Sequence, residues 1–134
     1  MNQSWGINMN VPKVMFVDDD NSMLTLFSRF CSGKPYEVMT YTDPISALER
    51  VASADDITVV VSDYMMHKMD GVNFLNRVRD VSPYSIRMLL SAYDIKSITA
   101  DDGLVHHTLT KPFSRVVLLQ TIDDCIALYG KTQK

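Results

Sequence analysis

Five short apolar runs alternate along this chain with five stretches of helical spacing, and that alternation limits the possible folds more than any other feature. The runs Val14–Val17, Val38–Tyr41, Thr58–Val61, Ile86–Leu90 and His107–Thr110 have the length and composition of strands. The segments Asn21–Cys31, Pro44–Ala52, Gly71–Asp80, Ile95–Ala100 and Ser114–Leu128 read as helices, with Asp43 placed to cap the second. Strands separated by helices pair in parallel, because each return to the sheet is a right-handed crossover made by the helix. The pattern therefore predicts an α/β fold, (βα)5: a doubly wound, five-stranded parallel sheet with helices on both faces. A chain of 134 residues is the length of a single domain with one core. Ligands of such sheets bind beyond the carboxyl ends of the strands, where the strand order switches direction. Functional side chains are therefore expected after strands one, three, four and five.

Charge and composition exclude several functions. A net charge of −3 and a pI near 5.5 leave no basic field for a nucleic-acid backbone, and no local cluster of Lys and Arg supplies one. Cys31 and Cys125 fall at apolar positions of expected helices, which suits buried free thiols in a reducing cytoplasm. No apolar run is long enough to span a bilayer, and the first residues lack the basic and apolar regions of a signal peptide. We expect a cytoplasmic protein without membrane contact, in which residues 1–12 form a flexible leader and residues 13–130 the folded domain.

The chemistry concentrates at the predicted strand ends. Asp18, Asp19 and Asp20 follow the first strand directly, and Asp63 stands just past the third. Carboxylates that converge repel one another unless a cation joins them, and Mg²⁺ is typically held by one or two carboxylates with waters and phosphate oxygens. Ser91 follows the fourth strand, and Lys111, with Pro112 after it, follows the fifth. Taken singly, the acids read as solvated turn or cap residues, Ser91 as a helix cap and Lys111 as a surface charge. Together, on neighbouring strand ends, they can hold a metal and a phosphoryl group whose oxygens are neutralised from several sides.

In these motifs the chain resembles the receiver domain of two-component response regulators, over most of its length from Lys13 to about Leu128. Val17-Asp18-Asp19 is similar to the acid pair of that family, and the run from Ser62 through Asp63 to Asp70-Gly71 to its phosphorylation loop. Leu90-Ser91-Ala92 and Thr110-Lys111-Pro112-Phe113 match the two remaining signatures. The resemblance implies the flavodoxin-like strand order 2-1-3-4-5 and a phosphoacceptor at Asp63. It also implies Mg²⁺ held by Asp18, Asp19, Asp63 and the Met65 backbone carbonyl, with phosphoryl oxygens bound by Ser91 and Lys111. The implied donor is a phosphohistidine on a sensor histidine kinase or a phosphotransfer protein, and the output domain or partner is unidentified. Such a domain catalyses only its own phosphorylation and slow dephosphorylation. A cis bond is implied before Pro112.

Departures from the family pattern are also legible. His67 stands where the family usually has proline. Mg²⁺ prefers oxygen, so His67 is read as a solvated side chain in preference to a ligand. Thr108 replaces the usual aromatic switch residue, for which His106, His107 or Tyr93 could substitute, though all three also read as ordinary edge residues. Twenty positions separate Ser91 from Lys111, fewer than in typical receivers, so the helix expected at Ile95–Ala100 should be short and stop at Asp101-Asp102-Gly103. Asp70-Gly71 is read as a cap and turn with no catalytic role. These changes leave open a degenerate receiver that acts as a phosphorylation-independent interaction module. A small Mg²⁺-dependent phosphatase is the other rival, and it lacks an obvious general acid.

Overall fold

The computed structural model describes residues 11–92 and 103–132. These form β1 (Lys13–Val17), α1 (Asn21–Phe30), β2 (Glu37–Tyr41), α2 (Pro44–Ala54) and β3 (Val59–Asp63), then α3 (Gly71–Val81), β4 (Ile86–Ser91), β5 (His107–Thr110) and α4 (Arg115–Thr132). All strand pairs are parallel, in the order β2-β1-β3-β4-β5, which is the expected topology. The helix expected at Ile95–Ala100, together with Tyr93, Asp101 and Asp102, lies outside the described residues.

The three central strands are apolar on both faces because both faces are covered. Val14 and Phe16 of β1, Val59 and Val61 of β3, and Met88 and Leu90 of β4 face a core layer built with Leu24, Phe27, Leu118 and Ile122. Met15, Val17, Val60 and Leu89 point the other way, into a layer with Ala47, Val51, Phe74 and Val78. The edge strand β5 alternates instead, with Thr108 and Thr110 exposed and Leu109 packed on the first layer. Polar residues on an edge discourage pairing with another chain.

Two strands run further than their apolar pattern. β3 continues through Ser62 to Asp63, and β4 continues to Ser91, so both functional candidates are the last residues of their strands. Ladder pairing of Asp63 with Leu90 and of Ser91 with Thr110 outweighs the weak strand preference of these polar residues. β4 also carries a residue that does not fit a buried strand. Arg87 is 3% exposed, and its guanidinium donates to the carbonyls of Leu104 (2.6 Å), Ser85 (2.9 Å), Pro83 (3.2 Å) and Gly103 (3.5 Å). Satisfied donors make a charge tolerable there.

Caps end the loops where the sequence places them. The side chains of Asp43 and Asp70 accept amide hydrogens from Ile45 and Asn73, which opens α2 and α3. Gly71, at the start of α3, has a second reason to be glycine: a Cβ there would lie 2.3 Å from the Asp63 carbonyl oxygen and 2.7 Å from Leu89 Cδ1. The helix can approach the end of β3 only without a side chain. Gly130, in α4, has nothing within 4 Å of the same position. Gly71→Ala is expected to lower stability by roughly 1–3 kcal/mol through overpacking, and Gly130→Ala to raise it by about 0.5–1 kcal/mol through helix propensity. Urea unfolding of the two variants checks both signs, and a neutral Gly71→Ala would show that α3 can back away from β3 at little cost.

Candidate functional site

The site begins where β1 ends. The Asp18 amide donates to the Tyr41 carbonyl (3.1 Å), which keeps the chain in the sheet one residue past β1 and buries the side chain to 1% exposure. Asp18 Oδ1 accepts the Asp20 amide at 2.9 Å, while Oδ2 is buried with no hydrogen-bond partner. The Lys111 ammonium stands 3.9 Å from Oδ2, beyond hydrogen-bond reach. Burial pushes the Asp18 carboxyl up to about 6, helped by the charges of Asp63 and Asp19 and opposed by the Asp20 amide and Lys111.

Asp63 reaches the same point from β3, the strand beside β1. Its Oδ1 accepts from Lys111 Nζ at 3.0 Å. One oxygen each of Asp18, Asp19 and Asp63 lie within 4.8 Å of one another. Lys111 answers Asp63 and leaves Asp18 Oδ2 short of a partner. A buried, unpartnered carboxylate oxygen within a cluster of acids is the donor set that a hard divalent cation fits.

The remaining candidates separate into near and far. Ser91 ends β4, buried, and its carbonyl accepts the Lys111 amide at 2.7 Å, which holds the start of the Lys111 segment against that strand. The Lys111–Pro112 bond is cis, as expected. Phe113 stacks on Phe27 with ring centroids 6.3 Å apart and ties the same segment to the core. Met65 is on the rim, 60% exposed, beside a shallow hollow of about 220 Å³ that is also lined by Asp19, Met66 and His67. Asp20 turns away: its carboxylate caps α1 through the Ser22 amide (3.0 Å) and hydroxyl (2.6 Å), contacts that hold it below its ordinary pKa. The plain cap reading is therefore right for the third acid of the triplet.

His67 is solvated, as expected, with its side chain 95% exposed, but it also touches the site. Its backbone amide donates to Asp19 Oδ2 at 2.9 Å, and its ring Nδ1 lies 2.5 Å from the same oxygen. Lys68 pairs with Asp43 Oδ2 at 3.2 Å and fastens the same loop to the start of α2. Of the candidate switch residues, Thr108 is exposed on β5, and His106 is half-buried with Nδ1 accepting the Arg87 amide at 3.0 Å. Burial, then the charges of Arg87 and His107, hold His106 below its ordinary pKa. Both cysteines are free and buried, as expected.

The chain is similar to a family of known fold. The family model described as the response regulator receiver domain matches residues 14–123. The transcriptional regulatory protein GlrR of Escherichia coli (strain K12) is 30% identical over 115 residues, covering 84% of this chain and 26% of that protein. The alkaline phosphatase synthesis transcriptional regulatory protein PhoP of Bacillus subtilis (strain 168) is 29% identical over 109 residues, covering 76% of this chain and 43% of that protein. The chain thus spans about a quarter to a half of the length of these curated relatives. Among solved structures, the Vibrio cholerae chemotaxis protein CheY4 superposes with a TM-score of 0.77 at 28% identity, covering 86% of this chain and 98% of that one. The signal receiver domain of an HD domain-containing protein from Pseudomonas fluorescens Pf-5 gives 0.82 at 26% identity, covering 90% and 98%.

The raised Asp18 value has a measurable consequence. A carboxyl whose folded pKa lies above its unfolded one stabilises the fold when protonated, so this contribution is full below about pH 4 and lost as pH rises through about 6. Asp18→Asn keeps the group neutral. In chelator at pH 8 it is expected to be more stable than the parent by on the order of 1–3 kcal/mol, and to lack the parent's decline between these pH values. Urea midpoints across that range check it, and an Asp18→Asn chain less stable than the parent at pH 8 would mean that the acid is structural.

Proposed function

This chain belongs to the response regulator receiver domain family, and from that membership we propose that it accepts a phosphoryl group on Asp63 with the help of Mg²⁺ and signals by a change of shape. Domains of this family are signalling modules of two-component systems. The observation that carries the finer reading is the buried Asp18 Oδ2, unpartnered among three carboxylates, beside an Asp63 already paired with Lys111.

Asp18, Asp19 and Asp63, with the backbone carbonyl of Met65, would hold the Mg²⁺. When bound, the cation supplies positive charge to the carboxylates and to the phosphoryl oxygens. A carboxylate oxygen of Asp63 is the nucleophile: a bond forms from it to phosphorus as the bond from phosphorus to the donor's histidine nitrogen breaks, and the histidine leaves. Little covalent assistance is needed for such a transfer, so the task of the remaining groups is in-line positioning and neutralisation of charge. Lys111 would exchange its contact with the Asp63 carboxylate for one with a phosphoryl oxygen, and the Ser91 hydroxyl would donate to another. Nothing in this scheme turns over an external substrate.

The donor we propose is a sensor histidine kinase or a phosphotransfer protein, and the site of action the cytoplasm. No helix among the described residues is long and apolar enough to cross a membrane, and the acidic balance gives this domain no means of holding nucleic acid. Residues 13–130 would form the receiver and residues 1–12 a leader. The partner that reads the changed shape is unassigned. A degenerate interaction module has less support, because it would not need four charged groups aimed at one point.

Incubation with Mg²⁺ and acetyl phosphate is expected to add the mass of one phosphoryl group to the intact protein, and Asp63→Asn to abolish the addition, since an amide forms no acyl phosphate. Labelling that survives in the mutant would move the acceptor elsewhere. A folded parent chain that takes no label would favour the interaction module.

The phosphorylated form should also be long-lived. In this family the residues two after the phosphoacceptor and two after the hydroxyl residue flank the attacking water, and here they are Met65 and Tyr93. A thioether has no strong donor or acceptor with which to align water. Met65→Asn is expected to speed loss of the phosphoryl group by roughly three- to tenfold, about 1 kcal/mol of barrier, without slowing its gain. The decay of phosphoprotein after removal of the donor measures this, and equal decay in the two chains would reject the role given to Met65.

A further inference from the structure

Of the three carboxylates that converge at the site, each is held by a different device. Asp18 is set by burial and by the Asp20 amide, and Asp63 by the β3–β4 ladder and Lys111. Asp19 has neither deep burial nor a place in a strand, and its side chain is 26% exposed. What holds it is His67, through the backbone amide at 2.9 Å and the ring Nδ1 at 2.5 Å, both on Oδ2. A carboxylate only accepts, so the ring nitrogen donates and both contacts are donor bonds to one oxygen.

The ring itself is 95% exposed. Packing therefore does not account for its orientation, and the bond to Asp19 does. The ring nitrogens are not part of the group of ligand atoms that lie within 4.8 Å of one another, a group that comprises Asp18, Asp19 and Asp63. His67 is thus placed to act on the cluster through Asp19 and not to join it as a ligand. That the cluster is built for a cation is supported independently by Asp18 Oδ2, which is buried without a partner inside it.

We infer that His67 is a positioning residue for the metal: it grips Asp19 Oδ2 at two points, holds the carboxylate against rotation, and leaves Oδ1 to face the cation. The inference rests on the Mg²⁺ reading above and adds to it a residue from the loop between β3 and α3. A proline at position 67 would provide neither donor. Partners that orient a metal-binding carboxylate typically contribute 10–100-fold to affinity. An exposed imidazole on a partly exposed acid belongs near the lower end of that range.

Calorimetric titration of the intact chain with Mg²⁺, in the absence of any phosphoryl donor, tests this. His67→Ala keeps the backbone donor and loses the ring, and is expected to weaken Mg²⁺ binding by about tenfold. His67→Asn restores a side-chain donor at similar reach, and is expected to recover most of the loss. With acetyl phosphate as donor, the Mg²⁺ concentration for half-maximal labelling is expected to rise in His67→Ala by a similar factor and to fall back towards the parent's in His67→Asn. Equal Mg²⁺ affinity in parent and His67→Ala, or tighter binding in His67→Ala, would overturn the positioning role and leave the metal reading standing. Failure of the parent itself to bind Mg²⁺ would overturn both.

Discussion

Everything at this site depends on one unfavourable feature, a carboxylate buried just past the end of β1 with one oxygen unpartnered. An ionised acid out of water is costly unless it is paired, and Asp18 has only the Asp20 amide on Oδ1 and a distant Lys111. The fold withstands this because β1 is firmly held, apolar on both faces and bonded to β2 on one side and β3 on the other. Function here is placed where stability can be spared. A group that is destabilising by itself and satisfied by a ligand makes the ligand's binding part of the stability of the domain.

Strand order then decides which residues meet. The crossover after β2 puts β3 beside β1, so acids 45 residues apart in sequence, Asp18 and Asp63, end on neighbouring strands. Lys111 comes from the far side of β4, and with adjacent strands about 4.8 Å apart its backbone begins roughly two strand spacings from β3. A lysine stem covers most of that distance only if it leaves the strand leaning inward. The Lys111 amide on the Ser91 carbonyl and the stacking of Phe113 on Phe27 hold its segment in that attitude. A half-buried aromatic two residues from the ammonium, Phe113, therefore contributes to the geometry of the charge.

Much of this was legible in the sequence, for a physical reason: periodicity records which face of an element is covered, and strand ends in a parallel sheet are where sites form. The five strands, their order and the meeting of Asp18, Asp63 and Lys111 followed from those two facts together with the family resemblance. What was not legible depends on contacts that no local pattern encodes. Arg87 interrupts an apolar strand, and the carbonyls that satisfy it come from Pro83, Ser85, Gly103 and Leu104, none of which announces itself as a partner. Gly71 looked like a turn residue, yet its lack of a side chain answers the Asp63 carbonyl eight positions earlier. The tie of His67 to Asp19 was hidden because the oxygen that engages it is 48 positions away. The ends of β3 and β4 were drawn short because Asp63 and Ser91 are polar, while in the sheet the ladder outweighs that.

The groups of the site are consequently held by two kinds of force, and the difference bears on how a signal could leave it. Asp63 and Ser91 are the last residues of their strands and Asp18 follows β1 directly, all buried and fixed by backbone bonds within the sheet. The loop between β3 and α3 is attached at its ends by the Tyr64 amide on the Leu90 carbonyl and the Gly71 amide on the Tyr64 carbonyl, both 2.8 Å. Between those ends, besides the Asp70 cap on α3, its polar ties include two to acids, His67 to Asp19 and Lys68 to Asp43. Packing is insensitive to added charge, whereas contacts between charged groups respond to it directly. On the proposed function, charge and a cation added at Asp63 would act on the tethers of the loop before they disturbed the strands. The loop is thus the part of the site able to carry a change in charge outward as a change in shape.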